Sequence, residues 1–308
     1  MKPIDVIIPV YRPTKRLFLL LDRLQAQTLP PDRIILINTE QSYFDNLILG
    51  TDFWQRYRNV TVRHISKKEF DHGGTRRWAV KETDAPYFAL MTDDAIPADE
   101  FLLERLTEPL VDGKAAMSYA RQLPNEDCGV IERYNRKFNY PEVSRIKTRA
   151  DLQELGIKTF FASNVCAAYD RKVYDELGGF VKHTIFNEDM IFARELIEAG
   201  YAIAYEASAR VYHSHNYTGK QQFMRNFDLG VSHSQYPNIF RGVKTESEGI
   251  RLVKKNCAYL ISVKKPWLII KLIWQSGCRY IGYFLGKRYA KLPLELVKRF
   301  SMNREYWN

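Results

Sequence analysis
The feature that most restricts this chain is the alternation, over its first 240 residues, of short β-branched apolar runs with amphipathic helical stretches. DVIIPVY (5–11) is closed by Pro13, after which Leu17, Leu20, Leu21 and Leu24 share one helical face. IILIN (34–38) follows the turn signal Pro30-Pro31-Asp32, and VTVRHIS (60–66) alternates as a third strand. GTRRWAVKETD reads as helix, YFALMTDD (87–94) as a strand ending in carboxylates, and ADEFLLERLTEPLVD as an amphipathic helix opened by acidic residues. This order predicts the α/β class: a mixed, mainly parallel sheet flanked by helices, with ligands beyond the carboxyl ends of its strands.

Past Lys114 the alternation lapses. The polar stretch from Asn125 to Lys158 has few periodic apolar residues and is expected as a loop or lid. FFASNVCAAYD (160–170) resumes the core, and a helix over 188–199 ends at Gly200. YAIAYEASARVYH (201–213) then reads as strand and Gln221 to Ser232 as helix.

Charge divides the chain in two. Residues 1–240 hold 31 Lys and Arg against 32 Asp and Glu, whereas residues 241–308 hold 15 against 4, so the net +10 belongs to the tail. We therefore expect a catalytic body at 1–240 and a basic, aromatic helical extension at 241–308. WLIIKLIWQSGCRYIGYFLG is interrupted by Lys271 and Arg279, short of the ~20 apolar residues a spanning helix needs. Trp267, Trp274, Tyr280 and Tyr283, beside Lys264, Lys265, Lys271, Arg279, Lys287 and Arg288, suit peripheral contact with an anionic membrane. The competing reading is a solvated helical hairpin packed on the body. Cys128, Cys166, Cys257 and Cys278 form no C-x-x-C pair, and the first residues lack a signal-peptide pattern, so a cytoplasmic location at the inner membrane face is expected.

There is no G-x-x-x-x-G-K-[ST], no G-x-G-x-x-G after the first strand and no G-x-S-x-G. Four other constellations could carry chemistry. Thr92-Asp93-Asp94 ends a buried strand, where carboxylates are costly to desolvate unless a cation such as Mg²⁺ or Mn²⁺ receives them; a helix N-cap is the plainer alternative. Glu188-Asp189 opens a helix, as a general base or as ordinary acidic capping. His213 and His215 share a strand face, and imidazole there could ligate the cation at Asp94 or serve as a structural hydrogen-bonder. HGGTRR (72–77) puts Gly73-Gly74 and two arginines at a helix start, which suits a diphosphate or a tight turn with surface charge.

In this order and spacing, IIPVYRP, Thr92-Asp93-Asp94 and Glu188-Asp189 resemble the family-2 inverting glycosyltransferases of GT-A fold, over about residues 4 to 235. More narrowly, FDHGGTR, TDDAIP, the GGF-to-NED segment, VYHSHNYT and FDLGVSH are similar to bacterial rhamnosyltransferases of rhamnose-rich surface polysaccharides, streptococcal rhamnan enzymes among them. The resemblance implies a metal-dependent transferase with dTDP-β-L-rhamnose as donor and a lipid-linked saccharide as acceptor. It implies that Asp94 and His213 hold the cation, that Pro9, Tyr11, Asn38, Thr39 and Glu40 frame the nucleotide, and that Asp189 is the base. His72, Gly74, Arg76 and Arg225 would face diphosphate or acceptor, and Asp93, Asn164 and Glu188 the sugar or acceptor side. Two departures stand out: Thr92 replaces the first Asp of the family's D-x-D, and the loop after the second strand reads Asn38-Thr39-Glu40-Gln41 where an acidic nucleotide contact is usual. Gln222-x-x-Arg225 lacks the tryptophan of processive synthases.

Two rival readings accompany this one. Another nucleotide-sugar, such as a UDP-hexose or UDP-galactofuranose, could be the donor. The basic tail could alternatively bind nucleic acid, against which stand the neutral body and the absence of any nucleic-acid motif, so no nucleic-acid partner is expected. The aromatic tail could also serve a homodimer.

Overall fold
The computed structural model describes residues 3–240 and 245–308, the side chains of 245–248 excepted. Nine strands form one sheet: β1 (Ile4–Tyr11), β2 (Ile34–Thr39), β3 (Val60–Ile65), β4 (Tyr87–Met91), β5 (Ile96–Pro97), β6 (Met117–Leu123), β7 (Arg145–Lys147), β8 (Cys166–Asp170) and β9 (Ile203–Tyr212). They lie in the order β3-β2-β1-β4-β8-β6-β9-β5, with β7 also paired to β9. β1, β2, β3, β4, β6 and β9 run one way and β5, β7 and β8 the other, so the sheet is mixed and mainly parallel.

β1, β2 and β4 are covered on both faces, which is why their sequences are nearly continuous apolar runs, the buried Asp5 of β1 being paired with Arg33. Ile4, Val6, Ile8 and Val10 of β1 enter one core with Leu17, Leu20, Leu21 and Leu24 of the Arg16–Gln25 helix. Ile7 points to the opposite core, filled by Phe192, Ala193, Leu196 and Ile197 of the Glu188–Glu198 helix. Each fully buried leucine or isoleucine contributes about 1.5–3 kcal/mol.

The expected loop or lid at 125–158 is instead structured, with a Val130–Asn139 helix, β7, and short helical turns at Arg149–Asp151, Leu152–Leu155 and Gly156–Thr159. The helix buries only Ile131 and Asn135. It forms because the tail covers it: Tyr134 stacks on Tyr259 at 4.6 Å and Asn256 Nδ2 donates to Asn135 Oδ1 over 2.8 Å.

In the tail, the helices Thr245–Ser262 and Leu268–Gly286 reverse at Lys264, whose φ is 57°, and Pro266. The expected boundary near 240 falls beside residues 241–244, which lie outside the described ones. Leu268–Gly286 crosses the Gly219–Gln235 helix so closely that a Cβ at Gly282 or Gly286 would strike the carbonyl of Phe223 or Phe227. Two residues expected at a membrane interface therefore turn inward. Tyr283 shares a 2.9 Å hydrogen bond with His233 Nδ1, and Arg279 Nε donates to Gln222 Oε1 over 2.9 Å. The last residues return to the body, where Met302 N donates to Asp228 Oδ2 over 2.8 Å and Tyr306 stacks on His183 at 4.3 Å. Among the described residues no helix is long and apolar enough to cross a membrane.

Candidate active site
The carboxyl ends of β1, β2, β4 and β9 and the start of the Glu188–Glu198 helix collect the polar groups. At the end of β4, the Thr92 amide donates to Val165 O, which fixes the Asp93-Asp94 turn beside Asn164. β9 runs parallel to β6 with Leu123 opposite Tyr212, and the His213 amide donates to Leu123 O. His213 and His215 are thereby brought to Asp94, with Nε2 atoms 3.5 and 3.3 Å from its Oδ2. One ligand atom from each of the three lies within 4.8 Å of the others.

A carboxylate oxygen and two imidazole nitrogens make a donor set that fits a divalent cation. His213 Nδ1 lies 2.9 Å from Gln122 Oε1, which also accepts from Arg136. That acceptor hydrogen-bonds Nδ1 and so turns Nε2 toward Asp94. Burial opposes ionisation of Asp94, but hydrogen bonding and charge from His213, helped by Thr92 and His215, outweigh it and hold the carboxyl well below the usual range. Burial, with the neighbouring His213, lowers the His215 pKa to about 4, so its ring is neutral and able to ligate. Asp93 is the opposite case: burial and the Asp94 charge push it up to about 7.

Glu188 and Asp189 follow Asn187, a non-glycine residue in the left-handed region at φ 65°. Arg12 and Glu40, next to Tyr11 and Thr39, are left-handed too, so three strained positions border this end of the sheet. Asn164 organises both carboxylates. Its amide N–H donates to Asp189 Oδ2 over 3.0 Å, and its Nδ2 donates to Glu188 Oε1 over 3.1 Å. Glu188 is buried; burial disfavours its charge, yet Arg76 at 3.2 Å and His72 reverse the balance and lower its pKa. Asp189 moves the other way, raised by burial and by the Glu188 charge.

Pro9, Tyr11, Thr39, His72, Arg76, Asp93 and Arg225 line one cavity of about 400 Å³. Asn38 and Glu40 do not line it. Asn38 Nδ2 donates to Glu40 O and meets His64 Nδ1, while Glu40 Oε1 accepts from the Lys67 amide over 2.6 Å. Gly74 does not present a free amide either: its N–H and that of Gly73 both donate to the N-capping Asp71 Oδ1. Its lack of a side chain serves packing, because a Cβ would stand 2.6 Å from Lys182 O. Gln122 carries no mark in the sequence, its place following from the β6–β9 register alone, and neither do Met302 and Asn303, which the tail brings to the cavity wall beside Asp228 of the Gly219–Gln235 helix. His215 carried a signal, its two-residue spacing from His213.

A sheet of this order, with acidic residues after β4, a carboxylate pair at a helix start and a cavity over β1 and β2, is that of a GT-A glycosyltransferase. Residues 5–178 match the model described as Glycosyl transferase family 2, and the chain belongs to that family. It is 40% identical over 307 residues to the O-antigen chain rhamnosyltransferase RfbN of Salmonella typhimurium, covering 99% of this chain and 96% of that protein. It is 39% identical to the O-antigen chain rhamnosyltransferase WbaN of Salmonella anatum, over 100% of this chain and 96% of the other. Among solved structures, the mannosyltransferase PcManGT of Pyrobaculum calidifontis, in complex with GDP-Man and Mn²⁺, superposes with a TM-score of 0.57 at 14% identity, covering 99% of this chain and 85% of that one. S. aureus TarS 1–349 with UDP-GlcNAc gives 0.53 at 13% identity, covering 94% and 91%. These two likenesses concern the fold.

Proposed function
We propose that this glycosyltransferase moves L-rhamnose from dTDP-β-L-rhamnose to a hydroxyl of a lipid-linked saccharide during bacterial surface-polysaccharide synthesis, with inversion. The observation that carries the reading is the likeness to two O-antigen chain rhamnosyltransferases along essentially the whole chain, tail included. The nucleotide lies across β1 and β2 against Pro9, Tyr11 and Thr39, with Asn38 and Glu40 shaping the adjacent loop. Arg76 and Arg225 face the diphosphate; Asp93, Asn164 and Glu188 serve the sugar and acceptor side. Asp189, held by the amides of Asn164 and Met190, takes the proton of the acceptor hydroxyl. That oxygen bonds to the anomeric carbon as the bond to diphosphate breaks on the opposite face. Asp94, His213 and His215 would hold a divalent cation, which would supply countercharge to the departing diphosphate. Two imidazoles among three ligands favour Mn²⁺ over Mg²⁺, which prefers oxygen donors.

We further propose that the protein works in the cytoplasm at the inner face of the membrane, on an anionic surface. Trp267, Ile270, Trp274 and Ile281 of the tail are 64%, 77%, 68% and 52% exposed, beside Lys264, Lys265 and Lys271. The test of the reaction is turnover by purified protein of dTDP-β-L-rhamnose against UDP-hexoses and UDP-galactofuranose, with Mn²⁺, Mg²⁺ or EDTA. Rhamnose release or transfer, abolished by EDTA and at least about tenfold more efficient than with other donors, is expected. Preference for a UDP-hexose would overturn the donor assignment.

A further inference from the structure
A second cavity, of about 340 Å³, lies between the body and the tail and shares no lining residue with the donor cavity. His215 stands in its wall as well as in the metal-binding group, so it adjoins the reaction centre. Leu268, Lys271, Gln275 and Arg279 follow one another at helical spacing and form its tail side. The body side carries Asn135, Asn216, Tyr217 and Gln222.

We propose, resting on the transferase reading, that this cavity receives the acceptor as a saccharide and that the tail helix supplies half of its wall. The lining is rich in side-chain amides and poor in net charge, which suits many hydroxyls better than a phosphate. Several amides use one end to fix the cavity itself. Gln275 Nε2 donates to Tyr217 O over 3.0 Å, and Gln222 Oε1 accepts from Arg279 Nε. Their other ends, Gln275 Oε1 and Gln222 Nε2, have no hydrogen-bond partner among the described residues. One acceptor and one donor held by locked side chains at a cavity wall can pair with adjacent sugar hydroxyls. The glycine-mediated crossing at Gly282 and Gly286 holds the tail helix at a fixed distance, so this wall is rigid.

The experiment is saturation-transfer NMR with methyl glycosides of glucose, galactose, mannose and rhamnose, added to the full chain with Mn²⁺ and dTDP. At least one glycoside is expected to bind in the millimolar range. Gln275→Leu and Lys271→Trp should each weaken it roughly tenfold, a difference of about 1.4 kcal/mol. Lys271 is exposed, so the tryptophan narrows the mouth while the melting temperature stays within about 2 °C, which separates loss of the site from loss of the fold. Glycoside binding that both variants leave intact, or none up to about 50 mM, overturns the proposal. Turnover is scored separately: sugar bound here, and weakened by both substitutions, without turnover of any nucleotide-sugar defeats the transferase reading and not the saccharide site.

Discussion

Asp189 can act as a base only as a carboxylate, and its surroundings favour the acid form. Burial and the Glu188 charge raise its pKa above the ordinary aspartate value of about 3.9, so activity should fall on an acidic limb that begins above that value. A profile of kcat/KM against pH checks this, since loss must follow protonation as pH drops through the raised pKa. Asp189→Asn should lower kcat by ~10²- to 10⁴-fold and remove the limb; an unchanged rate would place the base elsewhere. Gln122 acts through His213. Gln122→Leu removes the acceptor that orients the ring and should weaken Mn²⁺ binding about 10- to 100-fold, read by calorimetric titration. The sequence marks Asp94, Asp189 and His213 as candidates because acidic and imidazole groups at strand and helix ends stand out in a chain of alternating elements. Gln122 is not among them, since a glutamine ending an ordinary strand carries no mark until β9 is laid beside it.

Elements with their own periodicity were legible; those stabilised by another segment were not. The Arg16–Gln25 helix buries four leucines at helical spacing, whereas Val130–Asn139 has a thin apolar stripe and depends on Tyr259 and Asn256, more than a hundred residues away. The tail helix shows the same dependence in its orientation. Its composition marks an amphipathic segment, but the side turned to the body is set by Gly282 and Gly286, which draws Tyr283 and Arg279 inward. Gly282→Ala sets a methyl against the Phe223 carbonyl and should destabilise the protein by about 1–3 kcal/mol, measured by urea denaturation. A neutral result would mean that the two helices part without cost.

At the scale of the molecule, the tail meets the body at the Val130–Asn139 helix, the Gly219–Gln235 helix, Tyr217, His183 and the cavity over β1 and β2, where Met302 and Asn303 line the wall. One side of Leu268–Gly286 is thus committed to the body and the other remains exposed. Flotation with vesicles containing about a third anionic lipid should carry the protein upward, less so in high salt, and the Trp267→Ala, Trp274→Ala double variant should lose most of that binding. Equal binding by the double variant would assign the exposed side to another partner. The sequence alone determined the class of fold, because short apolar runs alternating with helical stretches of period 3.6 admit few ways to bury both patterns, and it marked the carboxylates and histidines as costly residues needing partners. Only the tertiary structure decided which of them meet. Register between β6 and β9, the crossing of two glycine-bearing helices and the return of the last residues are contacts between segments far apart in the chain, and their geometry is set by packing that no local pattern records.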